Sequence, residues 1–167
     1  MIGRKDRFWL TNHLANPALA LLLRSPVGEH FGQHLGLVTY VGQRSGRRHQ
    51  LIVQYAREGT VVWIVPAQPD RKTWWHNFST TAPIELRLAG REFQGRAIAL
   101  RSEDNPEEVR RGLATYLNQL PRSAKSLEID LTSGVDCRVG GGVVVRVDLL
   151  ETSDLNSAGP GGSAPNA

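Results

Sequence analysis

Apolar and polar positions change rhythm twice along the chain, and those changes mark out its elements. Asn16-Pro17 reads as an N-cap followed by proline at the first helical position, and a short helix with Ala18, Leu19, Leu21, Leu22 and Leu23 is expected to run to about Arg24, stopped by Ser25-Pro26. From Leu35 the period becomes that of strands. Strands are expected at 35–41, 49–56 and 60–65, the last two joined by a turn at Arg57-Glu58-Gly59. The two prolines of the segment Pro66 to Thr73 exclude a central strand there, so a loop is expected, followed by one helical turn over Trp74 to Phe78. Ile84, Leu86 and Leu88 alternate with Glu85 and Arg87, and Gly90-Arg91 turns this strand into a partner at 92–101.

A second helix is signalled more clearly. Asn105 is the cap, Pro106 the start, Glu107 and Glu108 suit the helix dipole, and Val109, Leu113, Tyr116, Leu117 and Leu120 recur at helical spacing before Pro121. Val143 to Leu149 is a final strand, while 122–142 gives no clear pattern. The expected fold is mainly β with flanking helices, α+β, its closely spaced antiparallel strands curling into a barrel. Residues 1–150 form one domain in this reading, and 151–167, rich in Ser, Gly, Pro, Asn and Ala, a disordered tail.

Composition narrows the chemistry only a little. The 167 residues suffice for a single core, and the formal charge of +4 favours an anionic partner. One cysteine, Cys137, makes no internal disulfide, and no signal-peptide pattern stands at the N-terminus, so a cytoplasmic location is expected. The five histidines lack metal-ligand spacing, and no metal is expected. The basic residues lie on short turns without a stacking or recognition-helix motif, so no nucleic acid is expected either. Phe8, Trp9 and the leucine helix leave a peripheral membrane contact open, as an alternative to plain burial against the sheet.

The strongest chemical signal is the turn Gly42-Gln43-Arg44-Ser45-Gly46-Arg47-Arg48, where two glycines permit unusual backbone angles and three arginines surround one serine. Backbone N–H groups and forked guanidiniums in such a turn suit a phosphate or carboxylate. Arg71 and Lys72 add charge, and Trp74 and Trp75 offer rings to a planar ligand. Tyr40 and Tyr55 alternate with apolar neighbours and read as core, and His76 reads as structural or superficial.

These segments, together with the strand pair from Ile84 to Leu100, resemble the deazaflavin-dependent nitroreductase family of flavin and deazaflavin oxidoreductases. The resemblance covers roughly residues 17–150. It rests most on a G-x-x-S-G turn, here Gly42, Ser45 and Gly46, and a W-x-x-N element, here Trp74 and Asn77. It implies a split β-barrel of the FMN-binding type that uses coenzyme F420 to pass hydride to a quinone, an enone or a nitroaromatic. Carried over by position, Arg44, Ser45, Gly46 and Arg47 or Arg48 hold the phosphate, with His49 beside them and Arg71 or Lys72 adding charge. Backbone groups of Ile52, Val53 and Gln54 and of Pro66, Ala67 and Gln68 border the ring, and Trp74 and Asn77 fix the loop. His49 stands where members often carry a basic residue, and Ile52 where they carry proline. The resemblance also implies a homodimer paired through its sheets and a small-molecule substrate. FMN in place of F420, or a non-catalytic carrier of a hydrophobic ligand, are the alternatives for such a barrel.

Overall fold

Seven segments, most of them alternating apolar with polar residues, supply the strands of one antiparallel sheet, and the turns between them decide its order. The computed structural model describes residues 34–123 and 142–150. The strands are β1 (Leu35–Val41), β2 (Arg48–Gln54), β3 (Ala56–Glu58), β4 (Val61–Ile64), β5 (Ala82–Leu88), β6 (Arg91–Arg101) and β7 (Val143–Leu149). A 3-10 turn, Trp74–Phe78, stands between β4 and β5, and the helix α1 (Pro106–Gln119) follows β6. The order across the sheet is β2-β1-β5-β6-β7-β4-β3. The sheet curls, so that β2 and β3, consecutive in the chain, form its two edges: the expected split β-barrel. The leucine helix at 17–24, Phe8, Trp9, Cys137 and the tail at 151–167 lie outside the described residues.

The strand expected at 49–56 is two strands. The apolar pattern runs on through Tyr55, but β2 pairs with β1 while β3 pairs with β4, so Tyr55 alone carries the chain across the split. Its N–H donates to the carbonyl of His34 at 2.9 Å, the last bond in the register of β1 and β2 before the chain changes partner. The other boundaries lie within two residues of expectation. Ala89 and Gly90 make the β5–β6 turn with φ of 45° and 75°, the sign demanded by the hairpin turns that match strand twist. Asn105 occupies the N-cap of α1, yet its side chain makes no capping bond; its carbonyl accepts from Val109 N–H at 3.0 Å.

Alternation divides the apolar residues between two cores. The barrel interior holds Val38, Tyr40, Val53, Tyr55, Val62, Ile64, Ile84, Leu86, Leu88, Val145 and Val147, closed at one end by Trp75 and Phe78. On the outside, α1 lays Val109, Leu113, Tyr116 and Leu117 over Trp63, Leu100 and Val144. Each such side chain taken fully from water contributes about 1.5–3 kcal/mol before chain entropy is counted. Gly112 lets the helix approach, for a Cβ there would stand 2.5 Å from Cε3 of Trp63. Arg146 of β7, half-buried, holds Glu108 of α1 at 2.9 Å and Asp148 at 2.9 Å. Those bonds outweigh its burial and raise the guanidinium above its ordinary value.

Candidate functional site

The basic turn is built by its own backbone and side chains. Gly46 takes φ 62°, a left-handed conformation that admits glycine without strain. Gly42 serves another end: a Cβ on it would lie 2.6 Å from Ser45 Oγ and 2.9 Å from His49 Nε2, so its bare Cα makes room for that pair. Only Gly46, therefore, meets the expectation of an unusual backbone angle. The turn closes through Gly42 N–H to the carbonyl of Arg47 and Gly46 N–H to the carbonyl of Gly42, both at 2.8 Å.

Asn77 ties this turn to the 3-10 turn. Its Oδ1 accepts from Gln43 N–H at 3.0 Å while its Nδ2 donates to the carbonyl of Trp74 at 2.8 Å. Gln43 Nε2 adds a bond to Thr80 Oγ1 at 3.3 Å. The G-x-x-S-G turn and the W-x-x-N element, 34 residues apart at Gln43 and Asn77, are thus one unit. Neither Gln43 nor the meaning of its N–H was among the expected site residues. A backbone donor leaves no trace in side-chain pattern.

The anion-binding expectation changes in detail. N–H groups of Gly42, Gln43, Gly46 and Arg47 are all committed within the protein, the last to Ser45 Oγ at 3.2 Å. Backbone donation to an anion is left to Arg44 and Ser45, with guanidiniums carrying the rest. Arg44 and Arg47 are exposed, and among the described residues no carboxylate pairs with either. Arg48 parts company with them: it forms an ion pair with Glu85 on the outer face of the sheet. Its neighbour His49 faces the other way, its ring on Tyr40 at 5.4 Å and its Nε2 3.2 Å from Ser45 Oγ.

The residues expected to border the ring fall at the ends of two strands, β2 and β4. Ile52, Val53 and Gln54 end the edge strand β2, whose far side carries backbone groups not used by β1. Val53 points into the core, and the side chain of Gln54 is engaged by Tyr116 OH at 3.4 Å and Ser123 Oγ at 3.2 Å. Pro66, Ala67 and Gln68 follow β4. Gln68 has φ 55°, and its carbonyl accepts from the N–H groups of Arg71 at 3.0 Å and Lys72 at 3.1 Å, so the basic pair sits on a tight turn. Trp75 anchors this loop, Nε1 donating to the carbonyl of Pro69 at 3.1 Å. Trp75 is buried and stacked on His76 at 3.7 Å, and so is no open ring for a ligand; Trp74, half-buried, sets its edge against Phe78. Tyr40 and Tyr55 belong to the core as expected, and burial raises both phenols. An outer-face furrow of about 450 Å³ between β2, β1, β5 and β6, lined by Thr39, Gln50, Arg48, Glu85 and Arg87, lies on the side of the sheet away from His49.

Fold and site together define a class: a split β-barrel whose edge strand begins at a cationic turn, suited to a flat ligand with an anionic tail. A profile of the F420H(2)-dependent quinone reductase family matches residues 22–126, and the chain belongs to that family. The reaction of the family is hydride transfer from the reduced deazaflavin F420 to a quinone-like acceptor, and F420 is the cofactor. Among solved structures, an F420-H2 dependent reductase (FDR-A) aligns with 17% identity and TM-score 0.50 over 69% of this chain and 94% of its own. A domain-swapped dimer aligns with 15% identity and TM-score 0.52 over 85% and 98%. At such identities both neighbours speak for the fold. No curated protein matches the chain. No helix among the described residues is long and apolar enough to cross a membrane.

The residues present fit this cofactor. F420 carries a phosphodiester and carboxylates at one end, for which Arg44, Arg47 and Ser45 are apt partners, and a ring edge of alternating carbonyl and N–H groups, for which an unpaired strand edge is apt. A Cβ on Gly42 would intrude on the cradle that Ser45 and His49 form in this turn.

Proposed function

We propose that the anionic tail of F420 is held by Arg44, Ser45 and Arg47 with His49 beside them, that Arg71 and Lys72 extend the cationic track, and that the ring lies along β2 between Ile52–Gln54 and Pro66–Gln68. Bound there, the reduced deazaflavin supplies the hydride. The chain's own residues bind, orient and exclude water. Arg44 and Arg47 offset the negative charge, Asn77 fixes the turn relative to Trp74, and Tyr40, Val53 and Phe78 keep the floor dry. No protein nucleophile is required.

One observation carries this reading: the bond from Gln43 N–H to Asn77 Oδ1, which ties the turn bearing Arg44 and Arg47 to the 3-10 turn of Trp74 and Asn77. The acceptor is taken to be a quinone, as in the family; enones and nitroaromatics are further substrates to try. The test is to mix purified protein with reduced F420 and a soluble quinone and follow reappearance of the oxidised cofactor. Turnover that falls at least tenfold in Arg44→Ala/Arg47→Ala supports the placement. Turnover with reduced FMN and none with reduced F420 would overturn it.

Two coarser expectations join the reading. The chain works in the cytoplasm, in keeping with its single cysteine. It also pairs with a second copy, as the domain-swapped neighbour does; a monomer by light scattering at working concentration would remove that part.

A further inference from the structure

Within the cationic turn, Ser45 and His49 form a contact whose proton arrangement can take two forms. Ser45 Oγ lies 3.2 Å from His49 Nε2 and accepts from Arg47 N–H at 3.2 Å. A hydroxyl has a single proton. Where the neutral imidazole carries its hydrogen on Nδ1, that proton goes to Nε2, and an arriving anion meets an oxygen with nothing to donate. Where the ring is protonated, Nε2–H donates to Oγ, the hydroxyl proton turns outward, and the ring adds a positive charge. The charge is gained whichever nitrogen bears the hydrogen of the neutral ring.

We propose that the Ser45–His49 pair makes the grip of this turn on an anionic ligand proton-gated, tight when His49 is charged and weak when it is neutral. The inference rests on the turn being the anion site proposed above.

The surroundings leave His49 as the group that changes. From β1, Tyr40 stacks on it, and burial raises that phenol, so it stays neutral. From the turn come Arg44 and Arg47, which stay charged. From its own strand, Arg48 is paired with Glu85 of β5 on the opposite face. From the 3-10 turn, Phe78 backs Tyr40, and the exposed His76 stacks on Trp75. Gly42 holds the pair in place by lacking a Cβ. His49 occupies a position where a permanently charged side chain would give a constant grip; a histidine there gives one that follows pH.

The sign is fixed by linkage. Binding favours the charged ring, so the ring's midpoint is higher in the complex than in the free protein. Affinity is fully present below the free midpoint and is lost as pH rises through the bound one. The experiment titrates intact protein, His49→Gln, His49→Arg, Ser45→Ala and His76→Gln with F420 from about pH 5.5 to about pH 8.5, the range in which histidine ordinarily titrates. The His49 ring is followed by NMR with and without ligand. Intact protein and His76→Gln should lose about tenfold in affinity across the window, and ligand should favour the charged His49 ring. His49→Gln should be weak and His49→Arg tight at every pH, apart from any titration of the ligand itself, which is common to all. Ser45→Ala should bind more weakly and with a shallower pH dependence. The same pH dependence in intact protein and His49→Gln, with an unmoved His49 midpoint, overturns the gate and leaves the anion site standing. An affinity indifferent to Arg44→Ala/Arg47→Ala overturns the anion site and the gate with it.

Discussion

Gly42 and Gly46 occupy one short motif for different physical reasons, and substitution separates them. Gly46→Ala meets no neighbour but must adopt φ 62°, so a loss of stability of about 1–2 kcal/mol is expected in urea unfolding. Gly42→Ala instead pushes its Cβ into Ser45 and His49, so its larger effect should be on ligand affinity. Arg48→Ala is the companion case. An exposed ion pair with Glu85 contributes about 0–1 kcal/mol, and the side chain faces away from His49, so F420 affinity should stay within about twofold. A loss as large as that of Arg44→Ala would return Arg48 to the phosphate. Composition made this turn legible as basic. It did not separate Arg47 from Arg48, because only the start of β2 at Arg48 sets that side chain beside Glu85 on the outer face.

At the scale of elements, most boundaries were legible because capping residues, prolines and period-two alternation coincide. The division of β2 from β3 was not, because Tyr55 continues an apolar run while the chain changes hydrogen-bonding partner. Trp75 was misjudged for a similar reason: an indole beside a basic loop reads as a ligand platform until its N–H is found on Pro69 and its ring in the core. The seam between α1 and the sheet gives a sharp prediction. Gly112→Val places side-chain atoms where Trp63 lies and should cost about 1–3 kcal/mol by overpacking, read as a lower urea midpoint. Glu108→Gln, by contrast, leaves Arg146 with Asp148 and should cost less than the loss of both partners.

Across the molecule, polar contacts stitch the two edges of the split: Tyr116 and Ser123 to Gln54, and Gln119 to both backbone groups of Arg57. Burial pushes the Tyr116 phenol up to about 12, with the Ser123 bond opposing. A folded pKa above the unfolded one means that this stability is whole below about pH 10 and is lost as pH rises toward about 12. Alkaline unfolding should therefore set in over that interval, and Tyr116→Phe should flatten the decline; an identical alkaline profile would show that the phenol has no part in it. The barrel, the site and the family meet in one claim, that the arginine turn is where F420 is gripped. The most direct test is a fluorescence titration of intact protein and of Arg44→Ala/Arg47→Ala with F420 at low and high salt. The account predicts tight, salt-sensitive binding by the intact protein, and for the variant at least tenfold weaker binding with a shallower salt dependence. Equal affinity and equal salt dependence in the two proteins would contradict it.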